Sequence, residues 1–226
     1  ISCMNHKNET NMKMHLDCIP CFFKQALQTA RVVNADKTTQ KSILDEIAGI
    51  IPSLSMDTSP PEIGKIIYGI VTKITKNNDP YKKIKDTSNK LALAAYPDLK
   101  KKVNNSQDEL LMAVKLSIAG NIIDYGANIE LDIKAELKKI LAFEEEAIKQ
   151  ESKLIFDYED FKLRLLATNK LLILGDNTGE IVFDKLLMEE IIKIKPDIKI
   201  TYAVKERPII NDALVEDALY CGLDEL

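Results

Sequence analysis

The stretch LILGDNTGEIVFD, residues 172–184, decides the fold class of this chain. A short apolar run stops at Gly175, and Asp176 and Asn177 follow it before apolar and acidic residues resume at helical spacing from Glu180. A continuous apolar run that ends at a glycine is typical of a strand buried on both faces. The stretch therefore predicts a buried strand, a loop that carries an adjacent carboxylate and amide, and a helix.

The residues after this unit repeat the same order of elements. The segment DIKITYAV alternates between apolar and polar residues, as a second strand does, and NDALVEDALYCG begins another helix. One face of the second strand would carry Ile198, Ile200, Tyr202 and Val204. Strand, helix, strand and helix with short connections indicate a parallel, Rossmann-like α/β layer over residues 151–226. Two parallel strands are few for an independent sheet, so we expect this domain to be incomplete and truncated.

The chain before this layer has a helical pattern throughout. From His15 to about Leu141, apolar residues recur three and four positions apart and predict six helices, and the fourth would begin at Asp79-Pro80 and end near Pro97. We therefore expect an all-helical domain over residues 14–150. Residues 1–13 lack the apolar core of a signal peptide and are predicted to be a disordered leader or vector-derived residues.

The composition excludes several classes of protein. The 226 residues are 46% hydrophobic and 29% charged, with a net charge of -4 and scattered lysines, so we expect no nucleic-acid partner. No apolar stretch reaches the length of a membrane span, so we expect no membrane partner either. Four cysteines do not form a disulfide framework in a chain of this size, which favours a reducing, cytoplasmic location.

Polar residues follow both predicted strands at their carboxyl ends, where parallel sheets bind ligands. Asp176 and Asn177 follow the first strand, and Asn211 and Asp212 lie beyond the second. Such oxygen ligands suit Mg²⁺ or Mn²⁺, and these ions assist phosphoryl transfer. Helix capping is the alternative, because Asp and Asn are also the commonest cap and turn residues. The chemistry of the residues alone does not decide between a metal site and caps.

Further groups near this edge would suit an anion. The helix that begins near Glu180 would offer backbone N–H groups and the positive end of its dipole. Lys205 and Arg207 follow the second strand and could reach a phosphate. Gly175 and Gly179 match neither a Walker loop nor the G-x-G-x-x-G pattern, which argues against an ordinary nucleotide site.

Two other motifs have both a structural and a functional interpretation. AGNIIDYG places Asn121 and Asp124 about one turn apart near a helix end, where they line a site or simply precede a terminating glycine. CIPC, with Cys18 and Cys21, has the spacing of half a zinc site or a redox pair. Because no second pair exists, we predict that these two cysteines lie close together on the first helix without a structural zinc. Cys221 is predicted to be a buried core thiol.

The order of these motifs resembles the damage-control phosphatase family, long catalogued as a domain of unknown function. The resemblance runs from about Met14 to the last residue, and it rests on CIPC, DPY with Lys85 and Asn89, AGNIIDYG, GDNTGEIVFD and KERPIINDA. The N-terminal CxxC is similar to that of the archaeal and bacterial subfamily. The resemblance implies a helical domain beside an α/β domain, and a metal-dependent phosphatase of small phosphorylated metabolites.

The resemblance also implies roles for individual residues. Asp176, Asn177 and Asp212 match the family's metal ligands and catalytic residues, and the metal would be Mn²⁺, Co²⁺, Ni²⁺ or Mg²⁺. By resemblance, Asn121 and Asp124 are expected to contact the substrate. By their position in the sequence, Glu180 and Lys205 are expected to contact it as well. Family members continue beyond this point with further βα units, so we expect an open sheet edge, an exposed last helix and a possible homo-oligomer through that edge.

Two other functions remain open from the sequence. A carboxyl methyltransferase that uses S-adenosylmethionine has been proposed for relatives, although its first loop would be richer in glycine than GDNTGE. In a non-catalytic binding protein, the helical domain would recognise a partner, and the acidic loops would only cap helices.

Overall fold

The computed structural model of the chain describes residues 12–122 and 157–226. Packing divides the chain into two compact units, Ile1–Tyr81 and Lys82–Leu226. The predicted sixth helix, the predicted domain boundary near residue 150 and most of the predicted leader lie outside the described residues. The packing groups the predicted fourth and fifth helices with the sheet rather than with the first three helices.

The described part of the first unit contains three α-helices, and local signals in the sequence explain where two of them begin. They are α1, Cys18–Val32, α2, Lys37–Ile50, and α3, Pro60–Thr75. Asp36 caps α2 by accepting a hydrogen bond from the Thr39 N–H at 2.7 Å. Ser59 and Glu62 form a capping box at the start of α3.

The core of this unit consists of apolar side chains at three- and four-residue spacing. Its buried members are Met14, Phe22, Ala26, Ala30, Ile43, Ile47, Ile63, Ile67 and Val71. Cys18 and Cys21 lie in the first turn of α1 with free thiols, so their predicted proximity on the first helix is confirmed. Their freedom from structural zinc stays a prediction.

The second unit begins with two helices, and one of them corrects the sequence prediction. Helix α4 spans Lys82–Asn104 and α5 spans Glu109–Ile122. The predicted end of the fourth helix near Pro97 is wrong, because α4 continues through this proline. A proline inside a helix removes one hydrogen bond. The part of α4 beyond Pro97 is stabilised by burial of Leu99 and Val103. It is also stabilised by the ion pairs of Lys100 with Glu189 and Glu190.

The remaining α-helices and strands of the described residues form the α/β layer. They are α6, Tyr158–Ala167, β1, Lys170–Leu174, α7, Glu180–Ile194, β2, Lys199–Ala203, and α8, Val215–Tyr220. The strands pair in parallel, from Lys170 opposite Lys199 to Leu174 opposite Ala203. The fold prediction of a helical N-terminal part followed by a small parallel α/β part is confirmed, although α6 has no counterpart in it.

The two faces of the sheet differ in their burial. Leu171 and Ile200 pack against α6 and α7 in one apolar cluster, and Tyr202 packs with the α4–α5–α7 core. On the other face, Leu172 and Leu174 are 61% and 73% exposed. The predicted burial of β1 on both faces is therefore wrong, because the described helices cover only one face of the sheet.

The last helix exposes much of its apolar surface. Val215, Leu219 and Tyr220 are each more than half exposed, whereas Cys221 is buried as predicted. Burial also raises the pKa of the Cys221 thiol to about 12, which leaves it an unreactive core residue at neutral pH. Among the described residues, none of the helices has the length and apolar character that crossing a membrane requires.

We expect the substitution Gly120→Ala to destabilise the second unit by about 1–3 kcal/mol. A Cβ atom at Gly120 would lie 2.8–3.0 Å from the Phe183 side chain, and that ring is fully buried between α5 and α7. Chemical denaturation measures the effect. Gly69→Ala is the matched control, since an added Cβ there meets nothing within 4 Å and should stabilise α3 slightly.

Candidate metal centre

Two loops meet at the carboxyl edge of the sheet and hold each other by backbone contacts. The loop after β1 begins at Gly175, and the loop after β2 runs to Leu214. The Ala213 N–H donates to the Asp176 carbonyl oxygen at 2.7 Å, and the Thr178 N–H donates to the Asn211 carbonyl oxygen at 2.9 Å. These bonds fix the two loops side by side.

The pairing of the loops brings the three predicted metal ligands together. Asn177 and Asp212 form an isolated antiparallel bridge, and the carboxylate of Asp176 accepts a hydrogen bond from the side-chain amide of Asn177 at 3.2 Å. The sequence could predict this convergence, because Asp176 and Asn177 follow the first parallel strand and Asp212 lies in the loop after the second.

A lysine ammonium lies between the two carboxylates. Lys205 Nζ is 3.1 Å from Asp176 Oδ1 and 3.1 Å from Asp212 Oδ2. The Asp176 and Lys205 side chains are 49% and 43% exposed, whereas the Asp212 side chain is only 17% exposed. The group of three side chains is therefore open to solvent at Asp176 and partly buried at Asp212.

The residues present fit a divalent cation. The Lys205 ammonium is a tethered positive charge held where both carboxylates converge, so the donor set already binds a cation. Within the described ranges, no cluster of three or more His, Cys, Asp or Glu side chains is arranged to hold a metal. Two carboxylates with the amide oxygen of Asn177 would form an oxygen donor set, and such donors suit Mg²⁺ and Mn²⁺.

Burial and mutual proximity shift the pKa values of Asp212 and Lys205. Burial raises the pKa of Asp212, and the nearby Lys205 ammonium only partly offsets this effect. Burial lowers the pKa of Lys205, but its hydrogen bonds to Asp176 and Asp212 outweigh that effect and raise the pKa overall. Lys205 is consequently charged at neutral pH.

Glu180 lies beneath the loop rather than on its open side. Its side chain is 7% exposed, and it accepts hydrogen bonds from the Asn177 N–H at 3.2 Å and from the Asn121 amide at 3.1 Å. Burial raises its pKa, and the negative charges of Asp184 and Asp176 add to the shift. Asn121 thus meets the site through Glu180, and Asp124 lies outside the described residues.

The expected anion donors at the start of α7 are already used within the protein. The Asn177 N–H donates to Glu180, the Thr178 N–H to the Asn211 carbonyl, and the Gly179 N–H to Asn89 Oδ1 at 2.8 Å. These three N–H groups therefore already have acceptors within the protein, and the expectation that the start of α7 binds an anion stays a prediction. Two of the three acceptors, the Asn211 carbonyl and Asn89 Oδ1, come from distant segments, which no local pattern shows.

Two polar residues near the loops have no individual role in the sequence prediction. Asn89 and Asp217 are buried, at 1% and 3% exposure, and their side chains are hydrogen-bonded to each other at 2.9 Å. A signal existed in the sequence, because Lys85 and Asn89 are spaced in phase with the buried Ala92, Leu99 and Val103 of α4. Polar residues on the buried face of a helix indicate a buried polar cluster.

A second buried cluster supports the start of the loop after β1. Asp184 accepts hydrogen bonds from the Ser117 hydroxyl at 2.7 Å and from the Tyr202 hydroxyl at 2.6 Å. A Cβ atom at Gly175 would lie 2.5 Å from the Tyr202 oxygen, so only glycine allows this tyrosine to cross the strand end. Burial raises the pKa of Asp184, and the two hydroxyl hydrogen bonds only partly oppose the shift.

We compare the free energies of unfolding of the wild type and of an Asp184→Asn variant. As the pH rises, we expect the wild-type value to fall relative to that of the variant. Because the folded pKa is raised above the ordinary value of 3.8, the folded state holds this proton after the unfolded state has lost it. Stability is therefore lost as the pH rises from 3.8 through the raised pKa of Asp184. Urea unfolding at a series of pH values measures the difference, and a difference that is constant or grows with pH would contradict it.

Comparisons with known proteins give consistent matches over nearly the whole chain. Residues 14–225 match the family described as "Damage-control phosphatase ARMT1-like domain". The chain is 35% identical over 225 residues to the protein MJ0202 of Methanocaldococcus jannaschii, covering 96% of this chain and 70% of that one. It is 32% identical over 216 residues to a protein of Archaeoglobus fulgidus named damage-control phosphatase, covering 95% and 72%.

A solved structure gives the same result. The crystal structure of PH1575, a DUF89 family protein from Pyrococcus horikoshii, superposes with a TM-score of 0.81 at 27% sequence identity. The match covers 96% of this chain and 72% of that chain. PH1575 also carries the name damage-control phosphatase.

Proposed function

This chain belongs to the ARMT1-like damage-control phosphatase family, and from that premise we propose that it is a divalent-metal-dependent phosphatase of small phosphorylated metabolites. One observation carries the proposal: the Asp176 and Asp212 carboxylates converge on one cationic group at the carboxyl edge of the sheet. The names of the relatives from Archaeoglobus fulgidus and Pyrococcus horikoshii support the phosphatase assignment.

In this proposal, Asp176, Asn177 and Asp212 hold the metal, which would be Mn²⁺, Co²⁺, Ni²⁺ or Mg²⁺. A bound divalent cation supplies Lewis-acid stabilisation of the charge on phosphoryl oxygens. The two carboxylates provide the charge that the ion requires, and the rigid pairing of their loops keeps them in place. Glu180 orients Asn177 through two hydrogen bonds, one to its N–H and one to its side-chain amide at 3.4 Å.

Lys205 has two roles in this proposal. Without a divalent ion, its ammonium neutralises the carboxylates of Asp176 and Asp212. If the same carboxylates held a divalent ion, charge repulsion would favour an outward position of the ammonium, which the half-exposed, flexible lysine stem allows. There it would donate hydrogen bonds to phosphate oxygens and place a positive charge beside them.

Hydrolysis of p-nitrophenyl phosphate tests the proposed function. The chain is first treated with a chelator, and Mn²⁺, Co²⁺, Ni²⁺ or Mg²⁺ is then returned separately. We expect activity to disappear on chelation and to return with at least one of these ions. Activity that exhaustive chelation leaves unchanged would refute the metal mechanism. A panel of phosphorylated metabolites, assayed with the best ion, then identifies the substrate class.

The proposed assembly, in a cytoplasmic protein, is a homo-oligomer formed through the open sheet edge and the exposed face of β1 beside it. The exposed Leu172 and Leu174 support this proposal, because burying them against a second chain would remove apolar surface from water. Light scattering coupled to size-exclusion chromatography measures the state. Leu172→Lys should convert an oligomer of this kind to monomers, and an unchanged mass would contradict it.

A further inference from the structure

A single buried amide connects the two loops of the candidate metal centre to helix α4. Asn89 is 1% exposed, and both ends of its side chain are engaged. Its Oδ1 accepts a hydrogen bond from the Gly179 N–H at 2.8 Å, and its Nδ2 donates to Asp217 Oδ1 at 2.9 Å. These partners lie 90 and 128 residues away in the sequence, so the amide joins two segments that are remote from its own helix.

Each partner of Asn89 lies close in sequence to one carboxylate of the metal centre. Gly179 follows Asp176 by three positions and has a φ of 86°, a conformation that glycine adopts readily. Asp217 accepts a hydrogen bond from the Leu214 N–H at 3.0 Å, and Leu214 follows Asp212 by two positions. The amide thus connects the loop of Asp176 with the loop of Asp212.

The negative charge of Asp217 is compensated inside the protein. Lys85 Nζ lies 3.8 Å from Asp217 Oδ2, and the Lys85 side chain is completely buried. Lys85 precedes Asn89 by one helical turn on α4, so both side chains meet Asp217 from the same helix. A charged group that is buried and satisfied in this way has few alternative positions.

We propose that Asn89 is a positioning residue for the metal centre, and that the buried Asn89–Asp217 pair controls metal affinity by fixing the two carboxylate loops. The inference rests on the proposed function, because the loops concerned carry the metal ligands. If the amide is lost, the Gly179 N–H loses its acceptor in a buried place, and the loop after β1 must rearrange to satisfy it.

Exchanging the two side chains tests this proposal. In an Asn89→Asp variant, two carboxylates face each other across the former hydrogen bond, and we expect Mn²⁺ affinity to fall by roughly 10–100-fold, as for other supporting residues of metal sites. In the Asn89→Asp/Asp217→Asn double variant, the amide and the carboxylate change places. The carboxylate at position 89 still accepts from Gly179 and now also from the amide at position 217.

The double variant should therefore recover an Mn²⁺ affinity within about threefold of the wild type, since the hydrogen bonds are restored and the moved charge stays beside Lys85. Ser88→Ala is the matched control. Ser88 is an equally buried neighbour on α4, but its hydroxyl donates only to the Ile84 carbonyl of the same helix. We expect this control to bind Mn²⁺ as the wild type does.

The measurements are calorimetric titration with Mn²⁺ and thermal unfolding without metal. A purely structural pair would lower the unfolding temperature of the single variants and leave the Mn²⁺ affinity of the folded protein unchanged, which would overturn the proposal. If Asn89→Asp does not fold, the milder Asp217→Asn variant replaces it, and wild-type affinity in that variant overturns the proposal equally. If the wild-type chain binds no Mn²⁺, the proposed function itself fails. If the wild type binds Mn²⁺ and the variants bind it equally well, only the role of Asn89 fails.

Discussion

Replacing Asp212 with asparagine is expected to lower metal-dependent phosphate-ester hydrolysis by at least about 100-fold and to weaken Mn²⁺ binding by a similar factor. Residues that only support a metal ligand change metal affinity or activity by roughly 10–100-fold, so loss of an anionic ligand should reach or exceed the upper end of that range. The asparagine keeps the size and one acceptor oxygen of the side chain. The effect is therefore attributable to charge and coordination rather than to a cavity.

The fold should tolerate this change. Burial raises the pKa of Asp212, so the charged carboxylate carries a desolvation cost that the neutral amide avoids, while its ion pair with Lys205 is lost. These effects oppose each other, and we expect a small change in the unfolding temperature without metal. Asp197→Asn is the control, because Asp197 is exposed at the opposite end of β2. Substantial hydrolysis by Asp212→Asn, at a rate near that of the control, would contradict the assignment.

The substitution Lys205→Met is expected to have opposite effects on metal binding and on catalysis. Mn²⁺ affinity should rise by roughly tenfold, because the ion no longer displaces an ammonium that makes charge-assisted hydrogen bonds to both carboxylates. Turnover should nevertheless fall by roughly 100-fold, since a donor to the developing charge of the phosphoryl group is lost.

Calorimetry and steady-state kinetics on the same preparation measure the two effects of Lys205→Met. Lys199→Met is the matched control, because Lys199 is an exposed lysine at the start of β2, away from the metal centre. If Lys205→Met weakens Mn²⁺ binding, the lysine does not compete with the ion. If it leaves turnover unchanged, the lysine does not act on the phosphate.

The sequence predicts the organisation of the candidate site well, because that organisation follows from local patterns. The glycine-terminated run before Asp176 and the alternation before Lys205 predict two parallel strands, and the strand ends then bring Asp176, Asn177 and Asp212 to one edge. The resemblance of the motifs to the damage-control phosphatase family is confirmed by the family match over residues 14–225. That match does not test the assignment to the subfamily with an N-terminal CxxC.

The parts that differ from prediction depend on contacts between distant residues. Pro97 indicates a helix end locally, but burial of Leu99 beyond it continues α4. The apolar run of β1 indicates burial on both faces, but exposure depends on which helices cover the sheet, as Leu174 shows. At the start of α7, the Gly179 N–H donates to Asn89, from a helix 90 residues away, and no local pattern indicates this contact.

The metal centre is tested most directly by titrating the chelator-treated chain with Mn²⁺ and following the electron paramagnetic resonance signal of the free ion. We expect one Mn²⁺ to bind per wild-type chain, and this binding to be lost in Asp176→Asn and in Asp212→Asn but retained in Asp197→Asn. Failure of the wild-type chain to bind Mn²⁺, or equal binding by the wild type and the Asp212→Asn variant, would contradict a metal site formed by these carboxylates.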